Sequence, residues 1–342
     1  MYNCIEPDVA VNPFFSITWE CTLKCNLDCS YCSSHDNSVP HPPLDECLNT
    51  IDFLYQYVDI VMATKPKSQQ HVSFNIFGGE SLFHPDIVEI IEYAHTAHNS
   101  DRSWSLGLNT VTNGIVKPKI WDKLITYFDY LTVSFHTEST TEDQELFKRN
   151  VLKLKEQQKN FQVSILIHPI NIKCCLDFIN WCKVNDIPHW VRKMDTPPGK
   201  GTKELPITLV KRNETLSNMS LGRACCGGQK FNVNQDYTST ISFVPNNNFK
   251  DWHCSVNKFF IFVKQETKEV FINKDCRMAY DGNYGPIGTL ANTELIISNL
   301  NDSIKNKTDF LICKKERCWC GLCTPKAKDK IIFDDIMIKY RN

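Results

Sequence analysis

From Phe14 to Met194 the apolar residues alternate between two spacings, one suited to strands and one to helices. Phe14 to Trp19 is short, apolar and rich in β-formers, which predicts a first strand. Pro40, Pro42 and Pro43 interrupt the chain, and Asp45 can cap a helix reaching about Met62, with Leu44, Leu48, Ile51, Leu54 and Tyr55 on one face. The rhythm then repeats. Strands are expected at His71 to Phe77, Trp104 to Thr112, Tyr130 to His136, Phe161 to His168 and Pro188 to Met194. Helices are expected after Pro85, from Pro118, at Glu142 to Gln157 and at Ile172 to Asn185. About six strand–helix steps result.

Strands separated by helical patterns imply crossover connections and a parallel α/β sheet. Periodicity alone leaves two architectures open, a doubly wound open sheet and a curled, barrel-like one. After Met194 the rhythm stops at Thr196-Pro197-Pro198-Gly199-Lys200-Gly201, a breaker cluster that places a domain boundary near residue 200, giving parts 1–200 and 201–342. In the second part Phe259 to Val263 and Glu269 to Ile272 flank a polar turn and read as a hairpin.

Composition adds little until the cysteines are counted. Of 342 residues, 42% are hydrophobic and 23% charged, with a formal net charge of -1, so nothing electrostatic calls for nucleic acid as a partner. No apolar signal segment precedes Cys4 and no run is long enough to cross a bilayer, which points to a cytoplasmic protein. In such a reducing compartment, 17 cysteines suggest metal rather than a disulfide framework.

Cys25, Cys29 and Cys32 stand in C-x3-C-x2-C spacing just beyond the first strand. A short loop with these gaps can wrap three thiolates around three irons of a cluster, leaving a fourth iron open. Cys21 does not compete, because Cys21, Cys25 and Cys29 read C-x3-C-x3-C. A zinc site and unrelated buried thiols are the alternatives. Phe77-Gly78-Gly79-Glu80 ends the second strand, where paired glycines permit close backbone approach and a carboxylate can accept hydrogen bonds from an ammonium group. An ordinary strand-to-helix turn would also use such residues.

The cysteine spacing, with Asn26 after the first thiol and Tyr31 before the third, resembles the signature of radical S-adenosylmethionine (SAM) enzymes. The resemblance implies a partial (βα)6, TIM-like barrel, a SAM-binding [4Fe-4S] cluster on Cys25, Cys29 and Cys32, and reductive cleavage of SAM to a 5′-deoxyadenosyl radical. Gly78-Gly79-Glu80 is similar to the family's Gly-Gly-Glu-Pro motif, which binds the SAM amino group, although Ser81 replaces the proline. Asn113 in Thr112-Asn113-Gly114, Ser134 and His136 on the next strand, Arg192 beside Val191 and Met194, and Tyr31 occupy positions where relatives contact SAM. His168 follows the fifth strand, and a loop histidine is its plainer reading. No catalytic residue is assigned.

Cys254, Cys276, Cys313, Cys318, Cys320 and Cys323 form a second constellation, Cys-rich and C-terminal. It resembles the SPASM or twitch extensions that hold auxiliary [4Fe-4S] clusters, with different gaps; a zinc site is the alternative. Cys225 and Cys226 could add a ligand, face the substrate or pack in the core. Cys4, Cys47, Cys174, Cys175 and Cys182 have no ligand spacing. The implied partners are a reductant such as flavodoxin or ferredoxin and a peptide or protein side chain as substrate. Only about twenty residues precede the cysteine loop, too few for a fused leader-binding domain, so a separate protein would present a peptide. A small metabolite or nucleoside is the alternative substrate, and a non-catalytic zinc or electron-transfer scaffold is the alternative from another class.

Overall fold

The computed structural model of the chain describes residues 4–5, 14–30, 32, 35–98, 102–167, 172–193, 249–274, 276, 279, 284–306, 310–314 and 324–339. After the short β1 (Cys4–Ile5), the expected alternation follows as β2 (Phe14–Thr22), α1 (Leu44–Met62), β3 (His71–Gly78), α2 (Ile87–His98), β4 (Ser105–Thr112) and α3 (Pro118–Leu124). It continues through β5 (Tyr130–Phe135), α4 (Thr141–Glu156), β6 (Phe161–Ile167), α5 (Ile172–Val184) and β7 (His189–Lys193). The strands β2 to β7 lie side by side in chain order, all parallel. β2 and β7 do not pair, so the six-strand sheet is open, as a partial barrel requires. The boundary expected near residue 200 lies outside the described residues.

Alternation in the strands decides which side faces the helices. In β2, Phe15, Ile17, Trp19 and Cys21 are fully buried in the layer between sheet and helices. The intervening positions form a polar ladder across the inner face. Asn75 Nδ2 donates to Ser16 Oγ at 3.1 Å, and Asn109 Nδ2 donates to Ser73 Oγ at 2.9 Å. Such a face can border polar ligands without leaving buried groups unsatisfied. The helices answer with apolar stripes, such as Ile87, Ile90, Ile91 and Ala94 on α2.

The remaining elements are β8 (His253–Cys254), β9 (Phe260–Lys264), β10 (Glu269–Phe271), β11 (Gly288–Thr289), α6 (Thr293–Lys305), β12 (Leu311–Ile312), β13 (Lys326–Ala327) and α7 (Lys330–Lys339). The predicted hairpin is present as β9 and β10, and it does not stand apart. β9 pairs in parallel with β2, and β10 and β11 extend the sheet to nine strands. Gln265, in the hairpin turn, fastens this junction: its N–H reaches Glu20 O at 3.1 Å, and its Oε1 accepts from Trp19 Nε1 at 2.9 Å and Thr50 Oγ1 at 3.0 Å. α1 buries Phe53 and Tyr57 besides its expected stripe, with the Tyr57 ring 6.1 Å from that of Phe15. A second, antiparallel sheet runs β1-β13-β8-β12.

Candidate functional site

The loop after β2 runs across the ends of three neighbouring strands. A register shift between Glu20 and Thr22 leaves Cys21 fully buried below it, its thiol pushed well up by burial, so Cys21 belongs to the core and not to the loop. At β3, Gly79 N–H bonds Thr22 O and Glu80 N–H bonds Lys24 O, each at 2.8 Å. Glycine is required here: a β-carbon on Gly78 would strike the Thr22 carbonyl, and one on Gly79 the carbonyls of Leu23 and Lys24. The close approach predicted for the glycine pair is therefore realised toward the cysteine loop's own backbone.

At β4 the brace is Asn113. Its Nδ2 donates to Asn26 Oδ1 at 2.6 Å and lies 3.8 Å from Cys25 Sγ, and Asn26 Nδ2 in turn donates to Ile115 O at 3.0 Å. Gly114, with φ +67°, lets the chain turn away, and a side chain there would strike Val133 and Phe147. At β5, His136 Nδ1 lies 3.6 Å from Cys29 Sγ, and Glu138 accepts from Ser30. Burial holds the His136 imidazole down at about 4, against the opposing pull of Glu138, so the ring is neutral.

Glu80 joins two of these strands. Its carboxylate is 2% exposed and accepts from Leu82 N at 3.0 Å, Thr112 Oγ1 at 2.8 Å and Asn113 N at 2.5 Å. Burial raises the group to about 7 while the bonds from Asn113, Thr112 and Leu82 pull it down. Three of roughly four acceptor positions are used by the protein itself, which makes the side chain a strut for the strand ends and leaves capacity for one further donor.

Cys25, Cys29 and Cys32 are thiols, not halves of a disulfide. Their surroundings suit thiolates. Leu27 N–H points at Cys25 Sγ at 3.4 Å, and the Asn113 amide approaches the same sulfur. Without metal, burial lifts the Cys25 thiol to about 11, so a cation is needed to displace its proton. Among the described residues no three Cys, His, Asp or Glu side chains converge on a point that one metal ion could occupy. A cluster makes no such demand, because its thiolates bind different irons. Three thiols on one short loop are the donor type that an iron–sulfur cluster takes.

Residues 19–182 match the family model of the Radical SAM superfamily. That stretch is a radical SAM domain. Mycofactocin maturase MftC of Mycobacterium tuberculosis (strain ATCC 25618 / H37Rv) is 30% identical over 128 residues, 36% of this chain and 28% of that protein. MftC of Mycobacterium ulcerans (strain Agy99) is 32% identical over 111 residues, 32% of this chain and 25% of that protein. This chain thus covers less than a third of the length of these relatives. In fold it is similar to anSMEcpe with bound S-adenosylmethionine (TM-score 0.55, 14% identity, 96% of each chain). It is also similar to SuiB of Streptococcus suis (TM-score 0.51, 12% identity, 90% of this chain and 67% of that one).

The superfamily's other expected positions distribute unevenly. Ser134 is half-buried on β5 and pairs in register with Ser164; Arg192 is opposite Leu166 on β7. Tyr31 and His168 lie outside the described residues, as do Cys225, Cys226, Cys318, Cys320, Cys323 and the side chain of Arg192. Of the C-terminal thiols, Cys254 and Cys313 sit on adjoining chain segments: Leu311 pairs with Cys254, and Cys313 N–H bonds Trp252 O at 2.9 Å. Cys254, Cys276 and Cys313 are all buried. Sequence reasoning missed Thr112, Glu138 and the Asn26–Asn113 pair as supports of the loop. The Thr-Asn-Gly triplet was the available signal for two of them, and nothing in the sequence marked Glu138.

Proposed function

We propose that this chain is an enzyme that cleaves SAM reductively at a [4Fe-4S] cluster held by Cys25, Cys29 and Cys32, and abstracts hydrogen from a peptide or protein side chain. The observation that carries the reading is the loop itself: three thiols on one segment, docked on the ends of β3, β4 and β5 at the mouth of the parallel sheet. The chemistry supplied by such a cluster is the electron that splits SAM into methionine and a 5′-deoxyadenosyl radical. The protein's part is to hold and orient. By their likeness to the family's motifs, Gly78 to Glu80 and Asn113 would hold the amino group of SAM, and Ser134, Arg192 and Tyr31 would hold its nucleoside half. The polar ladder of the inner face leads from that position into the sheet.

A peptide substrate is supported by the names of the relatives, a maturase among the sequences and, among the folds, anSMEcpe with a bound peptide (TM-score 0.52, 13% identity). Cys254, Cys276, Cys313, Cys318, Cys320 and Cys323 would hold one or more auxiliary [4Fe-4S] clusters, and a flavodoxin- or ferredoxin-like protein would supply electrons. None of the described helices is long and apolar enough to cross a membrane. The test is anaerobic reconstitution with iron, sulfide, SAM and dithionite. 5′-Deoxyadenosine should form, and its absence from fully loaded protein overturns the reading.

A further inference from the structure

The far end of the cysteine loop rests on the segment that follows β5. Ser30, between the second and third thiols, donates twice to one carboxylate: its N–H to Glu138 Oε2 and its Oγ–H to Glu138 Oε1, each at 2.7 Å. Two residues earlier in that segment, His136 Nδ1 lies 3.6 Å from Cys29 Sγ. Within the loop the same turn is closed by one backbone bond, Cys32 N–H to Cys29 O at 3.0 Å.

We infer that Glu138 is a positioning residue for the Cys29 and Cys32 thiolates, and that its charge helps set the potential of the cluster they hold. The inference rests on the function proposed above. A carboxylate that grips both donors of one residue fixes that residue's orientation, and with it the directions in which the flanking thiols leave the turn. Groups that orient metal ligands in this way matter beyond their own bond energy, typically by 10–100-fold in metal affinity. Glu138 is exposed, so its bond to Ser30 adds little to the stability of the chain as a whole. Its consequence falls on the thiols. A negative charge adjoining the ligand loop also disfavours adding an electron, which lowers the reduction potential.

The test uses the full chain, reconstituted anaerobically, as wild type, Glu138→Ala, Glu138→Gln, Glu138→Asp, Ser30→Ala and the Glu138→Ala/Ser30→Ala double variant. Iron release to a chelator and the midpoint potential without SAM are measured. The kinetic phase and spectroscopic signal absent from a Cys25→Ala/Cys29→Ala/Cys32→Ala variant identify the cluster in question. In Glu138→Ala that phase should release iron at least about tenfold faster, and adding Ser30→Ala should change nothing more. Glu138→Gln keeps an acceptor but not the charge, so it should shift the potential upward, and Glu138→Asp should restore it. Unchanged release and potential in Glu138→Ala and Glu138→Gln would overturn the inference, as would additive effects in the double variant. A wild-type chain lacking that phase altogether would instead sink the proposed function, a failure visible separately as absent 5′-deoxyadenosine.

Discussion

The two ends of the parallel sheet bury charge in opposite ways. At the mouth, Glu80 is enclosed and every one of its neighbours serves it, with donors from Leu82, Thr112 and Asn113. At the base, Lys65 places its ammonium group over the faces of Phe259, 4.7 Å from the ring centre, and Phe15, at 5.8 Å. That nitrogen is buried and has no hydrogen-bond partner among the described residues. Burial pulls it down to about 7, and Lys258 adds to the effect. A buried carboxylate is thus met by hydrogen-bond donors where the thiol loop is docked, and a buried ammonium rests on aromatic faces at the opposite end.

The largest effect should come from the docked loop itself. Replacing Cys25, Cys29 and Cys32 by Ala should abolish 5′-deoxyadenosine formation and remove the iron of one cluster while the auxiliary iron remains. Loss of all iron on metal analysis would show that the thiols are shared differently. Next is Gly79→Ala, whose methyl group meets the Leu23 and Lys24 carbonyls. The loop must lift, so cluster uptake should fall at least about tenfold in an iron-binding assay, and normal uptake would refute the docking geometry.

Removing the strut comes third. Glu80→Ala leaves three donors without their acceptor and should lower unfolding stability by on the order of 3 kcal/mol in denaturant titration. A loss under about 0.5 kcal/mol, ordinary for a surface site, would mean that the mouth is no better braced than the base.

The base should give the smallest effect, and one that depends on pH. The folded value of Lys65, about 7, lies below the 10.5 of an unhindered lysine. Between those values the unfolded chain holds a proton that the folded chain has lost, so stability rises with pH. Below about 7 both states are charged and the slope vanishes. Wild type should gain stability relative to Lys65→Met as the pH rises from 7 to 10, with no relative change below 7. Parallel stability curves for the two proteins would show that the ammonium is solvated or paired after all.

Which of these features could be read in advance depends on distance along the chain. The strand–helix rhythm of β2 to β7 was legible because each element writes its own period; β2 runs three residues past its expected end, and the other observed ends differ from the expected ones by only a residue or two. The thiol spacing and the Gly-Gly-Glu and Thr-Asn-Gly triplets were legible for the same reason. Contacts between distant segments were not. Ser30 and Glu138 are 108 positions apart, Asn26 and Asn113 are 87, and no local pattern links them. The parallel pairing of β9 with β2 escaped likewise: a hairpin announces its own two strands but not the third strand it will join.

That pairing has a consequence for how the protein is made. β2 leads directly into the cysteine loop, yet one of its two edges stays bare until residues 260–264 have been synthesised. A ribosome that has released only the six strand–helix steps has therefore released an uncapped parallel sheet, with the backbone donors and acceptors of an apolar strand open to any passing chain. Assembly of the metal site before that cap arrives would fix the loop on an unfinished wall. Chains truncated near residue 200 should accordingly aggregate, whereas those extended through β10 should not.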